Sequence, residues 1–441
     1  MSNVRSQSIR STVAAALAMT DQGLISGSNF VVSIVLAREL TPADYGVFGI
    51  AFSFYLLAVV VQDALILEPF TVFGSPICLA ERKPYMGTLV RWHFKASAAL
   101  FLIAAALLFS AYVDAKTQVL LTCLSSAVLA IPFVLLYWLE RRAVYMSPNP
   151  QIGALVALVY SGCILMGLGF IIRGHHLTPT SPFLLMAIAS IFCAGILKTF
   201  SRHHCNQPHR GEEVASLHWS YGKWALLSQI LTWAPANVLI WSAGLSHGTS
   251  HAGELKAIFN LVLPLQQILT ALQLIILPYC ARVVSRNGIA AIKKEVPRIT
   301  ALFAIISASY WLPLWCFAPQ LLHFVYRDSY AELASQIPLL AVTSIASSVS
   351  WGPIIGFRAA QQPSAVLVTY LVMNGSAVAL GIPCLWIAST RGAMLSLAVA
   401  ATASVPTAFF LYRQLINLRG PIATIQARDP GSHGQLSTSQ D

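Results

Sequence analysis

The chain has 441 residues, of which 56% are hydrophobic and only 10% charged, against about 25% charged in an ordinary soluble protein. With a mean hydropathy of +0.69 it cannot clothe a water-facing surface, which excludes a cytosolic enzyme and a disordered chain. Apolar stretches recur from end to end, so a single-span receptor is excluded too.

A helix that crosses a bilayer needs about 20 mostly apolar residues. Twelve such runs are predicted, at 12–36, 46–67, 96–113, 118–139, 152–172, 181–197, 224–245, 257–280, 299–318, 333–355, 364–387 and 392–412. Barrel strands would alternate over roughly ten residues and are too short to explain them. Arg5 and Arg10 precede the first run, which meets Asp21 and Gln22 and then resumes to Leu36, so it is read as a span and not as a cleaved leader. Gln22, Ser26, Asn29 and Ser33 fall on one helical face of that span. Span two carries Asp63 near its end. These two aspartates are the only charged residues inside the twelve predicted spans. An ionisable group inside a bilayer is costly, which makes it a functional candidate, and no basic residue within a span is expected to neutralise either one.

After span six comes the longest polar stretch, 198–223, dividing the chain into a six-helix bundle at 1–197 and another at 224–415, with a polar tail at 416–441. His203, His204, Cys205, His209 and His218 crowd that stretch at a spacing that matches no established metal site, and no metal is expected. Span seven places Gln229, Trp233 and Asn237 on one face around Pro235. Span eight offers Asn260 and Gln267 around Pro264. Polar residues thus gather in spans one, two, seven and eight, where they either line a cavity or bond helix to helix. The basic, partly amphipathic stretch Ala281 to Arg298 is expected to lie along the membrane surface.

Lys and Arg set orientation. With a cytoplasmic N-terminus, 21 of the 27 positive residues fall in cytoplasmic segments and six in outer ones, namely Arg38, Lys116, Arg173, Lys256, Arg327 and Arg391. A topology with both termini cytoplasmic follows. The net charge of +11 is accounted for by insertion and by contact with anionic membrane lipids, with no nucleic acid required. The eight cysteines include no C-x-x-C pair and read as small buried hydrophobes. The halves echo each other: Asp44 opens span two and Glu254 opens span eight, while Pro69-Phe70 and Pro278-Tyr279 close them. Such matches at nearly constant offset point to a parallel six-helix repeat. There is no G-x-x-x-x-G-K-[ST] loop, G-x-S-x-G or H-E-x-x-H, and the outer loops are short, so neither that route of ATP hydrolysis nor an outer-face enzyme is expected.

The stretch Ala37-Arg38-Glu39-Leu40-Thr41-Pro42-Ala43-Asp44-Tyr45-Gly46-Val47-Phe48 resembles the A-R-x-L-x-P-x-[DE]-[FY]-G-x-[FY] pattern of bacterial polysaccharide exporters. These are Wzx-type flippases of the multidrug/oligosaccharidyl-lipid/polysaccharide (MOP) superfamily. Glu140-Arg141-Arg142-Ala143-Val144-Tyr145 and Phe259-Asn260-Leu261-Val262-Leu263-Pro264-Leu265 are similar to that family as well. The resemblance implies an all-α integral membrane fold: twelve transmembrane helices in two pseudo-symmetric six-helix bundles around a central cavity lined by spans one, two, seven and eight. It implies inner-to-outer leaflet transfer of an undecaprenyl-diphosphate-linked oligosaccharide by alternating access, without ATP or any cofactor. A proton or sodium gradient would provide the drive, and a polysaccharide polymerase and glycosyltransferases would be partners. Under it, Asp21 is the expected coupling site, with Gln22, Asn29 and Asp63 near it. Gln229, Trp233, Asn237, Asn260 and Gln267 would contact glycan, and Arg91, Lys95, Arg282 and Arg286 would meet the diphosphate. Arg38, Pro42, Asp44 and Gly46 read as turn and packing residues. Twelve spans without cavity cations argue against the lipid II flippase branch, and spans seven to twelve without charge depart from the multidrug branch. A cation-coupled drug antiporter and a non-transporting scaffold for glycan assembly are the competing readings.

Overall fold

The computed structural model describes residues 2–74, 79–114, 117–145, 151–201 and 211–417, and among them there is no β-strand. The first half consists of α1 (Ser2–Glu39), α2 (Pro42–Gln62), α3 (Glu68–Gly74), α4 (Leu79–Val113), α5 (Gln118–Tyr145), α6 (Gln151–Arg173) and α7 (Ser181–Ser201). The second half consists of α8 (Gly211–Ser246), α9 (Thr249–Asn260), α10 (Leu263–Asn287), α11 (Ile292–Cys316), α12 (Ala318–Tyr326), α13 (Ile337–Ala359), α14 (Pro363–Tyr370) and α15 (Ser376–Asn417).

Nine stretches among the described residues are long and apolar enough on their own to cross a membrane. The last, Pro363–Asn417, holds two passes folded back on each other at Ala388 and at Ser389, whose φ is 52°. The more polar α1 and α8, of 38 and 36 residues, complete twelve crossings. They form two six-helix bundles. In the first, α5 packs on α2, α4 and α7, and α1 on α6; in the second, α13 packs on α10, α11 and α15. Apolar side chains left outside, such as Leu102, Phe109 and Phe170, suit contact with lipid and not with water.

The motif between the first two crossings is a helix cap. Thr41 stands in extended backbone and its hydroxyl accepts from the Asp44 amide at 3.2 Å, while Pro42 takes the first helical position, where a missing N–H costs nothing. From there α2 runs to a π-turn at Asp63–Leu67 and continues as α3.

Two expected boundaries move. Span eight begins at Thr249, eight residues before the predicted 257, because Gly248 (φ 91°) ends the α8–α9 connection and a full helix of twelve residues precedes the break before Pro264. The basic stretch 281–298 is no separate surface helix. It is the end of α10, a reversal at Gly288 (φ 74°) and the start of α11, because glycine accepts the left-handed conformation that a tight helical hairpin needs.

The bundles meet along α2, which packs on α9 and α8. A Cβ added to Gly46 would stand 1.7 Å from the Thr249 carbonyl oxygen, and one on Gly253 would stand 2.2 Å from that of Pro42. These two glycines let the backbones cross this closely, and each comes from the first turns of the matching crossing in its own bundle. Below, the α1–α2 end is the end where this crossing lies, and the π-turn end is the opposite one.

Candidate functional site

Asp21 is fully buried in the first bundle and faces α5. Its Oδ2 accepts from Arg141 Nε at 2.8 Å, from the same guanidinium through a terminal nitrogen, and from the Tyr145 hydroxyl at 2.5 Å. Its Oδ1 has no hydrogen-bond partner among the described residues. The Arg141 guanidinium also lies 4.8 Å from the Trp138 ring centroid, a cation–π contact in a dry setting. Asp63 is held by the next residue, Arg142, at 3.1 Å. Both pairs overturn the expectation of unneutralised aspartates. The predicted span four stops at 139, whereas α5 continues helical to Tyr145, and successive residues 100° apart on it reach α1 and α2.

The π-turn shapes a second cluster. Asp63 and Glu68 are five residues apart and would diverge on an α-helix, but the wider turn brings them to one side. There Gln229 Nε2 donates to Asp63 at 3.0 Å and to Glu68 at 3.3 Å, and the Tyr221 hydroxyl donates to Glu68 at 2.7 Å. A turn earlier on α8, His218 Nδ1 donates to the Leu65 carbonyl at 2.8 Å and its Nε2 accepts from Tyr85. All of these bonds tie α8, the first helix of the second bundle, to the first bundle. His203, His204, Cys205 and His209 lie outside the described residues.

At the α1–α2 end the seam is polar as well. Ser33, Tyr45 and Asn260 close a buried triangle with sides of 2.8, 3.1 and 2.7 Å. The Tyr326 hydroxyl donates to the Ala257 carbonyl, the Tyr330 ring stands edge-on to Tyr45, and Arg327 pairs with Glu39 at 3.2 Å. Asn260 is therefore occupied in joining bundles.

Between these two ends lies a cavity of about 490 Å³. Its walls are the glycine-rich face of α1, the aromatic face of α2 at Phe48 and Phe52, parts of α6 and α7, and Lys256, Pro264 and Gln267 from the second bundle. The cavity thus sits mainly in the first bundle, rather than evenly between the two. Of the polar residues singled out from sequence, Ser26, Asn29, Ser33 and Gln267 line it. Gln22 is exposed and bonds Ser26 at 3.3 Å. Trp233 stands edge-on to Trp241, and Asn237 donates to the Trp233 carbonyl across Pro235, bracing its own helix. Arg91, Lys95, Arg282 and Arg286 lie on α4 and α10, away from the cavity lining.

The cavity's charged wall residue is Lys256, which the sequence alone places in an outer loop. It is buried, its stem crosses Gly49, and its ammonium stands 4.5 Å from the Phe52 ring centroid. The overturned expectation of spans without a cation follows from starting span eight too late. Leu255-Lys256-Ala257-Ile258-Phe259 sets one lysine in an apolar run, and that is the signal the sequence offers.

Two helical bundles thus meet along α2, α8 and α9 beside a cavity, with polar fastenings at both ends of the seam. The comparisons with known proteins agree. No family model and no curated protein matches the sequence. Solved structures match over nearly the whole chain: the lipid II flippase MurJ in an inward closed conformation (13% identity, TM-score 0.61, 93% of this chain and 89% of that one) and the MATE multidrug transporter DinF-BH (16%, 0.65, 92% and 96%). An inward-facing multidrug resistance MATE family transporter of the MOP superfamily is similar at 12% identity and TM-score 0.64, over 91% and 94%. The chain shares its fold with these solved structures.

Proposed function

We propose that this protein moves an undecaprenyl-diphosphate-linked oligosaccharide from the inner to the outer leaflet of a bacterial inner membrane, by alternating access and without ATP, for surface or exopolysaccharide synthesis. The observation that carries the reading is the charge of the cavity: its lining includes one ammonium, Lys256, and no carboxylate. Asp21 is turned away and neutralised by Arg141. A desolvated cation attracts a diphosphate and repels the cationic substrates of a drug antiporter. The Wzx-like motifs support the same substrate, and the excess of Lys and Arg in one set of loops supports cytoplasmic termini and an outer α1–α2 end.

In this reading Arg91, Lys95, Arg282 and Arg286 gather the diphosphate at the cytoplasmic mouth, and Lys256 receives it. Asn29 and Gln267 contact the first sugars. A proton or sodium ion arriving at Asp21 competes with Arg141 and Tyr145, which is how a gradient would be coupled to the change of state. A polymerase and glycosyltransferases would act on either side of the step.

The test is the sidedness of lipid-linked glycan in a deletion strain carrying the wild-type or a variant gene. Wild type should relieve cytoplasmic-leaflet accumulation. Lys256→Gln should lower transfer by about tenfold or more, since a bond to a charged group contributes about 1.5–3 kcal/mol, with Lys256→Arg closer to wild type. Unchanged sidedness together with enhanced efflux of cationic drugs by Lys256→Gln would replace the proposal with drug antiport.

A further inference from the structure

Among the described residues the fold brings two histidines together where α8 passes into α9. His247 precedes Gly248 in the α8–α9 connection, His251 lies in the first turn of α9, and their ring centroids are 5.3 Å apart. Their hydrogen bonds fix which nitrogen is bare. His251 Nδ1 lies 3.0 Å from the His247 carbonyl oxygen, which can only accept, so Nδ1 carries the proton. Ser246 gives its single hydroxyl proton to the Ser242 carbonyl at 2.7 Å, so at 2.7 Å from His247 Nδ1 its oxygen is the acceptor. In each neutral ring Nε2 is therefore the nitrogen with the lone pair, and neither Nε2 has a partner among the described residues. A carbonyl and a hydroxyl that hold the far nitrogen are the outer support that metal-binding histidines use to fix ring and tautomer.

The spacing agrees with one shared ion. With metal–nitrogen bonds of about 2.05 Å, each centroid lies about 3.2 Å from the metal, and a tetrahedral angle sets the centroids about 5.2 Å apart. The sequence pattern is His247-Gly248-Thr249-Ser250-His251, two imidazoles four residues apart. The backbone under them is fixed, since His247 N–H bonds Ala243 O at 2.9 Å and His251 N–H bonds Gly248 O at 3.2 Å. Both side chains are half-buried, which leaves the site open to solvent.

We infer that His247 and His251 form a two-histidine site for a borderline transition-metal ion, Zn²⁺, Ni²⁺ or Cu²⁺, with water completing its shell. No third His, Cys, Asp or Glu joins them among the described residues, which fits an open, exchangeable site and not a closed structural one. A bound ion staples the end of α8 to the start of α9 across Gly248, next to the crossing of Gly46 and Gly253.

The test is calorimetric titration of the untagged, detergent-solubilised full chain with NiCl₂. Wild type should bind one Ni²⁺ more than His247→Ala/His251→Ala, which must elute as wild type in gel filtration. Either single alanine change should weaken that site at least tenfold. Ser246→Ala keeps both ligands but loses the support of His247, and should weaken it by about tenfold. Equal Ni²⁺ counts in wild type and the double variant overturn the site, and so does a single alanine change that leaves the affinity unaltered.

Discussion

Arg141→Ala is expected to remove most folded protein from the membrane, whereas Asp21→Asn is expected to fold and fail in transport. The asymmetry follows from what each change leaves behind. Without Arg141, the fully buried Asp21 keeps only the Tyr145 hydroxyl, and its Oδ1 already has no partner among the described residues. An uncompensated buried charge costs about 3–5 kcal/mol, a large part of the roughly 5–15 kcal/mol that holds a domain folded. Without the Asp21 charge, Arg141 still lies over the Trp138 and Tyr145 rings, at 4.8 and 5.8 Å from their centroids, and can bond the new amide oxygen. Asp21→Asn should therefore lose far less stability, and Asp21→Asn/Arg141→Gln should recover much of what Arg141→Ala loses. Detergent-extracted yield and thermal midpoint for the three variants give the stability ranking. Leaflet transfer by Asp21→Asn at matched abundance gives the coupling role. A wild-type midpoint for Arg141→Ala would remove the pair from the stabilising interactions, and wild-type transfer by Asp21→Asn would remove Asp21 from coupling.

How far the sequence reaches is visible in these residues. The apolar runs give twelve crossings because the bilayer imposes a length and an apolar composition that no local packing can override. Ends of helices are a different matter. Glu140-Arg141-Arg142 looks like the edge of the membrane by charge, yet α5 goes on past it because each arginine finds an acid on a neighbouring helix. That pairing is a tertiary fact, carried by residues 120 and 79 positions away. Lys256 is hidden for the same reason: a buried ammonium over Phe52 reads, along the chain alone, as the last charge of a loop. The polar character of spans one, two, seven and eight is legible in the sequence, but its division is not. Asn29 and Gln267 line the cavity, while Asn260 and Gln229 fasten one bundle to the other, and only the packing of α2 on α8 and α9 separates those roles.

That packing gives the second large effect. Gly46→Val and Gly253→Val are each expected to hold the α1–α2 end of the seam open. At Gly46 the first side-chain carbon would meet the Thr249 carbonyl at 1.7 Å and the Gly253 nitrogen at 2.8 Å; at Gly253 it would meet the Pro42 carbonyl at 2.2 Å. These neighbours are backbone in the first turns of two helices, so neither can swing aside as a side chain would, and relief requires α2 and α9 to part. Opposing the separation are the Ser33–Tyr45–Asn260 triangle and the Arg327–Glu39 pair. Hydrogen bonds of this kind contribute about 1 kcal/mol each and an exposed ion pair less, which a clash with rigid backbone exceeds. Each bundle keeps its own interior, with α5 on α4 and α7 in one and α13 on α11 and α15 in the other, so the variants should still fold. Ser33→Cys then serves as reporter, because Ser33 lies under the crossing and is buried while the seam is shut. A membrane-impermeant maleimide added from the side of the α1–α2 end should label it at least tenfold faster in the Gly46→Val background, with transport lost. Gly169→Ala, where an added carbon meets nothing within 4 Å, should leave both labelling and transport at the reference level. Equal labelling in the Gly46→Val and Gly169→Ala backgrounds would mean that the two helices do not gate access to the cavity. Labelling that rises while transport stays normal would place the rate-limiting closure at the other end, where Gln229 spans Asp63 and Glu68.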